Sequence, residues 1–176
     1  MPFDTYGTKD NDGNIIGDYF FAFIENMRRV YEGTKQTTGI KKAILNIAEL
    51  QTSIFPVVLI FRHGTGDDKW VQFPREKEVD LIAQSIIFSD QVNLELQIEE
   101  LERVSGICYQ AMTDNYKING FCNMSETWGI EKVDVTEYFE NKNNKYMVGC
   151  RFFTKAQHTI YVQDNGDDIV QPNIGE

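Results

Sequence analysis

The chain has 176 residues, 41% hydrophobic and 12% aromatic, a composition that folds and that fits one domain with a sizeable core. Its formal charge of -10 and sequence pI near 4.7 exclude a protein that grips nucleic acid, because phosphate contacts need a surplus of lysine and arginine. They do not exclude a surface past which DNA slides, since like charge discourages adhesion.

The first twenty residues carry Asp4, Asp10, Asp12 and Asp18, so the basic start and apolar core of a signal peptide are not expected. No apolar run nears the roughly 20 residues of a membrane span. Cys108, Cys122 and Cys150 are odd in number and widely spaced, with no Cys-x-x-Cys pair, which points to a reduced, intracellular setting.

Residues 1–14 are polar and turn-rich and read as a flexible N-terminal arm. Asp10, Asp12 and Asn14 imitate the opening of a calcium loop. Ile15 then stands where the turn glycine belongs and Phe21 where the terminal acid belongs, so an ordinary solvated arm is expected. Asp18 is placed to cap a helix whose apolar face is Phe20, Phe23, Ile24, Met27 and Tyr31; Arg28 and Arg29 suit its C-terminal end and Gly33 stops it. Residues 40–50 alternate imperfectly, as a strand through Ile40, Ala43, Leu45 and Ile47 or as a helix over 41–49.

The longest apolar run is 53–63, Ser-Ile-Phe-Pro-Val-Val-Leu-Ile-Phe-Arg-His. Pro56 has no N–H to donate and belongs at a strand start, while the bulky residues 57–61 suit a central strand covered on both faces. Gly64 and Gly66, followed by Asp67 and Asp68, lack the third glycine and the Lys-Ser/Thr pair of a phosphate loop. They read as a hairpin turn, with Trp70, Val71 and Phe73 as a short return strand before Pro74 and the charged run 75–78. Residues 79–88 fit a helix through Val79, Ile82, Ala83 and Ile86, but the β-branched cluster at their end favours a strand.

Residues 93–114 form a long amphipathic helix with Leu94, Ile98, Leu101, Val104, Ile107, Cys108, Ala111 and Met112 on one face. Glu95, Glu99, Glu100 and Glu102 load its early turns as a solvated face; a carboxylate metal site would need inward acids and a histidine. Extended segments follow at 124–130, which holds Trp128, and at 133–139. A turn at 140–144 leads to a long strand over 146–162, and 163–176 reads as a flexible acidic C-terminal tail. The expected fold is a single α+β domain over 15–162, a mixed or mainly antiparallel sheet with the N-terminal helix and the long central helix packed on one face.

Catalytic chemistry has little to draw on. His63 and His158 are the only histidines, no cysteine sits in a nucleophile motif, and neither a Gly-x-Ser-x-Gly elbow nor a dinucleotide fingerprint occurs. His63 with Asp67 or Asp68 is the one acid–base arrangement to weigh. The expectation is a protein that is not an enzyme and carries no cofactor or metal.

Three strings carry a likeness to a known family: Ile54-Phe55-Pro56-Val57-Val58-Leu59-Ile60, then residues 86–90 running into the 93–114 helix, then Tyr146-Met147-Val148-Gly149-Cys150-Arg151-Phe152. With the order of elements over 17–162, they make the chain resemble the tail terminator or tail completion proteins of tailed bacteriophages. The resemblance implies a compact subunit assembling with itself as a ring at the head–tail neck of the virion, built in the host cytoplasm. Such a ring ends tail-tube growth or joins the tail to the capsid connector, and leaves a channel through which DNA passes without specific binding. Its partners are tail-tube and head-connector proteins, and no membrane is involved. The polar arm, the acidic tail and the 64–78 excursion depart from the family pattern and leave open another phage connector or ring protein.

Ring subunits meet through two different surfaces, so aromatic material beyond the needs of the core is expected to be exposed. Trp70, Phe73, Tyr138 and Phe139 are the candidate subunit-interface residues, with packing under the sheet edge as the alternative. A small intracellular binding module using the aromatic face of the first helix is the other functional class.

Overall fold

A computed structural model of the chain describes residues 7–9, 15–72, 76–139 and 147–161. The element order is β1 (Gly7–Lys9), β2 (Ile15–Asp18), α1 (Tyr19–Glu32), α2 (Lys35–Thr38), β3 (Ala43–Ile44), β4 (Val57–Gln72), β5 (Glu76–Phe88), α3 (Leu94–Asp114), β6 (Met124–Asp134) and β7 (Val148–Tyr161). Short 3-10 turns occupy Ile47–Thr52 and Thr136–Tyr138. The fold is α+β. Its five-stranded sheet runs β3-β4-β5-β7-β6, with β3 parallel to β4 and the other neighbours antiparallel.

Alternation in β7 shows how the layers form. Val148, Cys150, Phe152 and Ala156 are buried against the helices, whereas Arg151 and Phe153 between them lie half-buried on the other face. Both long helices cover one face. Phe20, Phe23, Met27 and Tyr31 of α1 and Leu101, Val104, Cys108 and Met112 of α3 share one cluster with Val58, Ile60, Leu81, Ile87 and Phe152 from the sheet. A second, smaller cluster lies at one end of the sheet around Ile44, Leu50, Leu59, Phe88, Val135 and Phe139. Residues 57–60 of β4 serve both clusters and are almost fully buried, which accounts for the unbroken apolar run.

Several expectations change. Gly64 and Gly66 do not make a hairpin turn: β4 continues through them to Gln72, and its pairing with β5 slips between Arg62 and Gly64 and between Thr65 and Asp68. A glycine inside a strand supplies a bulge, and Gly64, at φ 148°, takes that role. The strand over 79–88 is present and longer, beginning at Glu76. It pairs with β4 and β7, so β5 is the middle of the sheet and β4 is not. The 40–50 strand shrinks to Ala43–Ile44. The separate segments at 124–130 and 133–139 are one strand, β6, followed by a 3-10 turn.

The buried stripe of α3 is also rotated from the expected one: Gln97 and Ser105 join it, and Leu94 is exposed. Gln97 explains the rotation. Its Oε1 accepts from the Val148 N–H at 3.1 Å while its Nε2 donates to the Gln91 carbonyl at 3.3 Å, so a buried amide locks the first turn of α3 onto β7. Asn93 caps this helix by accepting from the Glu95 and Leu96 N–H groups. Within the expected arm, Gly7–Lys9 pairs antiparallel with β2. The remainder of 1–14, including Asp10, Asp12 and Asn14, and the 163–176 tail lie outside the described residues.

Candidate subunit-contact surfaces

Of the four aromatic candidates, the structure describes the side chains of Tyr138 and Phe139. Trp70 pairs with Lys77 in the β4–β5 ladder; its side chain, and Phe73 altogether, lie outside the described residues. Phe139 is only 6% exposed, with its ring centroid 5.6 Å from Phe88 and 5.9 Å from Phe55. Tyr138 is half-buried, 5.8 Å from Phe88 and 6.4 Å from Phe61. Together these two rings fasten the Thr136–Tyr138 turn onto the sheet, a packing role within one subunit. The aromatic face of α1 is likewise core, which removes it as an open groove for a partner.

Exposed large apolar residues are spread over Val92, Leu94 and Leu96 at the start of α3, over Ile47, Ile54 and Tyr116 in connections, and over the two outer margins of the sheet. β6 is an edge strand on which Met124, Trp128 (37% exposed) and Ile130 (47%) are open to solvent. Trp128 stacks on Phe153 at 5.7 Å, and Arg151 lies over the opposite part of this patch, 5.5 Å from the Phe153 ring and ion-paired to Glu131. His63 meets the same Phe153 edge-on at 5.2 Å. An aromatic row therefore crosses the face away from the helices. At Gly129, φ is 76° and the pairing with β7 slips between Trp128 and Glu131, so the two exposed apolar residues flank a bulge.

The opposite margin is made by β4. Among the described residues, only Ala43 and Ile44 pair along its outer side, opposite Val58 and Leu59, and the edge beyond has no strand beside it. The last turn of α1 holds β3 in place: Glu32 Oε1 accepts from the Ala43 N–H at 3.2 Å and from Arg28 Nη1 at 2.8 Å. Arg28 also bonds Glu25, which holds the Glu25 carboxyl below the usual carboxylate range. Where β3 ends, a cavity of about 310 Å³ opens between α1 and β4, lined by Phe21, Ile24, Leu45, Ile60, Phe61 and Arg62. Phe21, 42% exposed, is the residue of α1 left out of the core there.

These margins escaped the sequence reading because strand order, not residue pattern, makes them. One local signal existed: Trp128-Gly129-Ile130, a glycine between two large apolar residues inside an extended segment.

Chemically the arrangement offers binding surface. His63 sits in the β4 bulge against Phe153, and the side chains of Asp67 and Asp68 lie outside the described residues. All three thiols are buried and pushed up, Cys108 and Cys122 to about 12, far from nucleophilic readiness. Among the described residues no group of three or more His, Cys, Asp or Glu is placed to hold a metal ion, and no helix is long and apolar enough to cross a membrane. No protein-family model matches this chain, and no curated protein matches it.

Proposed function

We propose that this protein is a virion structural subunit that builds a homo-oligomeric ring at the head–tail neck of a tailed bacteriophage. There it ends tail-tube growth or joins the tail to the capsid connector, and it acts mechanically, not as an enzyme. One observation supports the reading above the rest: among the described residues, a single sheet has two unlike outer strands on opposite sides, β6 with exposed apolar residues and β4 with a cavity beside it. Unlike surfaces on opposite sides favour head-to-tail association, which closes into a ring when the rotation per subunit allows. The net charge of -10 suits a channel that DNA traverses without being held.

Multi-angle light scattering across a concentration series, with electron microscopy of the purified protein, tests the proposal. The expected result is a closed ring, alone or on addition of tail-tube protein. A strict monomer under both conditions refutes it.

A further inference from the structure

We propose that residues 115–123, the connection between α3 and β6, form an acid-released strap: protonation of His158 frees them from β7 and α1 while the sheet stays folded. The inference stands apart from the ring reading.

The strap is held down by packing. Phe121, 3% exposed, stacks on Phe23 of α1 at 6.0 Å and on His158 of β7 at 4.3 Å, and Ile118 is fully buried. Its backbone bonds run largely within itself: the Ile118 N–H donates to the Asn115 carbonyl, the Phe121 N–H to Ile118 and the Cys122 N–H to Lys117. Outward, Asn123 at its end donates to the Gln157 carbonyl and the Thr159 hydroxyl, and Asn119 makes a 3.4 Å bond to the Asn26 carbonyl. The strap can therefore lift with its own bonds intact, an opening smaller than unfolding. Its closed form is also strained. Ile118, Asn119 and Gly120 follow one another at φ 46°, 59° and 81°, and a β-branched residue holds a left-handed backbone only while its surroundings impose it.

His158 is the part of this packing that takes a charge in mild acid. It is 4% exposed, and its Nε2 has no hydrogen-bond partner among the described residues. A proton there places a cation against apolar surface, and lifting the strap lets water reach it. The titratable groups on the elements packed against the ring do not offset that cost. α1 brings the Tyr19 phenol, 6.4 Å away between ring centroids, while its Glu25 and Glu32 are paired to Arg28. The strap carries Tyr116, Lys117 and Cys122. On β5, Val79 stands opposite His158, and Glu78 and Asp80 alternate to the other face of the sheet. On β7 itself Lys155 alternates away and pairs with Glu126. With the strap closed the ring refuses its proton down to about pH 4, whereas a ring in water takes one near pH 6.5. Between those values acid draws the strap open.

Cys122 reports on the strap, because Cys108 and Cys150 lie outside it and all three thiols are buried. The full chain is labelled with dithiodipyridine between pH 7 and pH 5, and peptide mass spectrometry assigns the sites. Each rate is divided by that of the same thiol in the denatured chain at the same pH. The relative rate at Cys122 is expected to rise about twentyfold from pH 7 to pH 5, and at pH 5 to exceed those of Cys108 and Cys150 by about tenfold or more. His158→Phe and His158→Gln, neutral throughout, are expected to hold the Cys122 rate within about threefold over the same range, and either variant suffices. Equal relative rates at all three thiols, which report unfolding of the whole subunit, overturn the proposal. So does a Cys122 rate that is flat with pH in the parent chain, or an undiminished rise in either variant.

Discussion

His158 gives the sharpest quantitative expectation. It is 4% exposed on β7, its ring stacks on Phe121 at 4.3 Å and lies 6.4 Å from Tyr19, and its Nε2 has no hydrogen-bond partner among the described residues. Burial makes the charged ring unfavourable, and a hydrogen bond to the Phe121 backbone offsets this only in part, so its pKa falls from 6.5 to about 4. The unfolded chain therefore binds a proton between those two values that the folded chain refuses. Stability is full above about pH 6.5 and declines as pH falls towards 4. The difference in binding amounts to about 2 kcal/mol between pH 7 and pH 5, and about 3 kcal/mol by pH 4. Urea unfolding at several pH values, on the parent chain and on His158→Phe, isolates this contribution because the carboxylates are common to both. The variant is expected to lose about 2 kcal/mol less between pH 7 and 5. Parallel pH profiles for the two proteins would refute the account.

The remaining predictions concern packing. Gly149 has no room for a methyl group: a Cβ there would lie 2.7 Å from Val135 Cγ1 and 3.1 Å from the Ile87 carbonyl oxygen, so Gly149→Ala is expected to destabilise by about 2 kcal/mol, roughly 4–8 °C in Tm. The Tyr31 hydroxyl and Ser85 Oγ share a buried hydrogen bond of 2.6 Å; Tyr31→Phe should lose about 1–2 kcal/mol by chemical denaturation, and Tyr31→Phe with Ser85→Ala little more than either alone. Equal additive losses would sink that assignment. All three thiols are expected to stay unreactive towards Ellman's reagent in the folded protein and to titrate fully in denaturant, and prompt native labelling of any one contradicts its burial.

Much of this fold was legible because its elements are periodic. The 3.6-residue recurrence of Phe20, Phe23, Met27 and Tyr31 and the alternation of Val148, Cys150 and Phe152 each specify one buried face, and tertiary contacts agree with them. Gln97 was missed because a polar residue at an inward position is explained only by its partners, the Val148 N–H and the Gln91 carbonyl, 51 and 6 residues away in sequence. Gly64 misled for a related reason. A glycine among polar residues signals a turn locally, but β5 lies beside β4 on both sides of it and keeps the chain extended.

The sheet margins were the least legible, and their origin is topological. β7, last in sequence, inserts between β5 and β6 and so pushes β6 to the margin, although nothing within 124–134 says that this strand will be outermost. At the other margin, β4 is exposed because β3 is only two residues long. Between them, β5 pairs without a slip along its whole length to β7, Glu76 opposite Tyr161 through Phe88 opposite Gly149. The middle of the sheet is thus continuous along β5 and β7, while the slips in register fall where β4 and β6 pair with them. That division suits the ring subunit proposed above, with an uninterrupted ladder in the centre and interrupted edges at the margins. Aromatic content alone does not separate core from margin. Phe139 is packed inside the subunit, whereas Trp128, beside Gly129, stands at an edge.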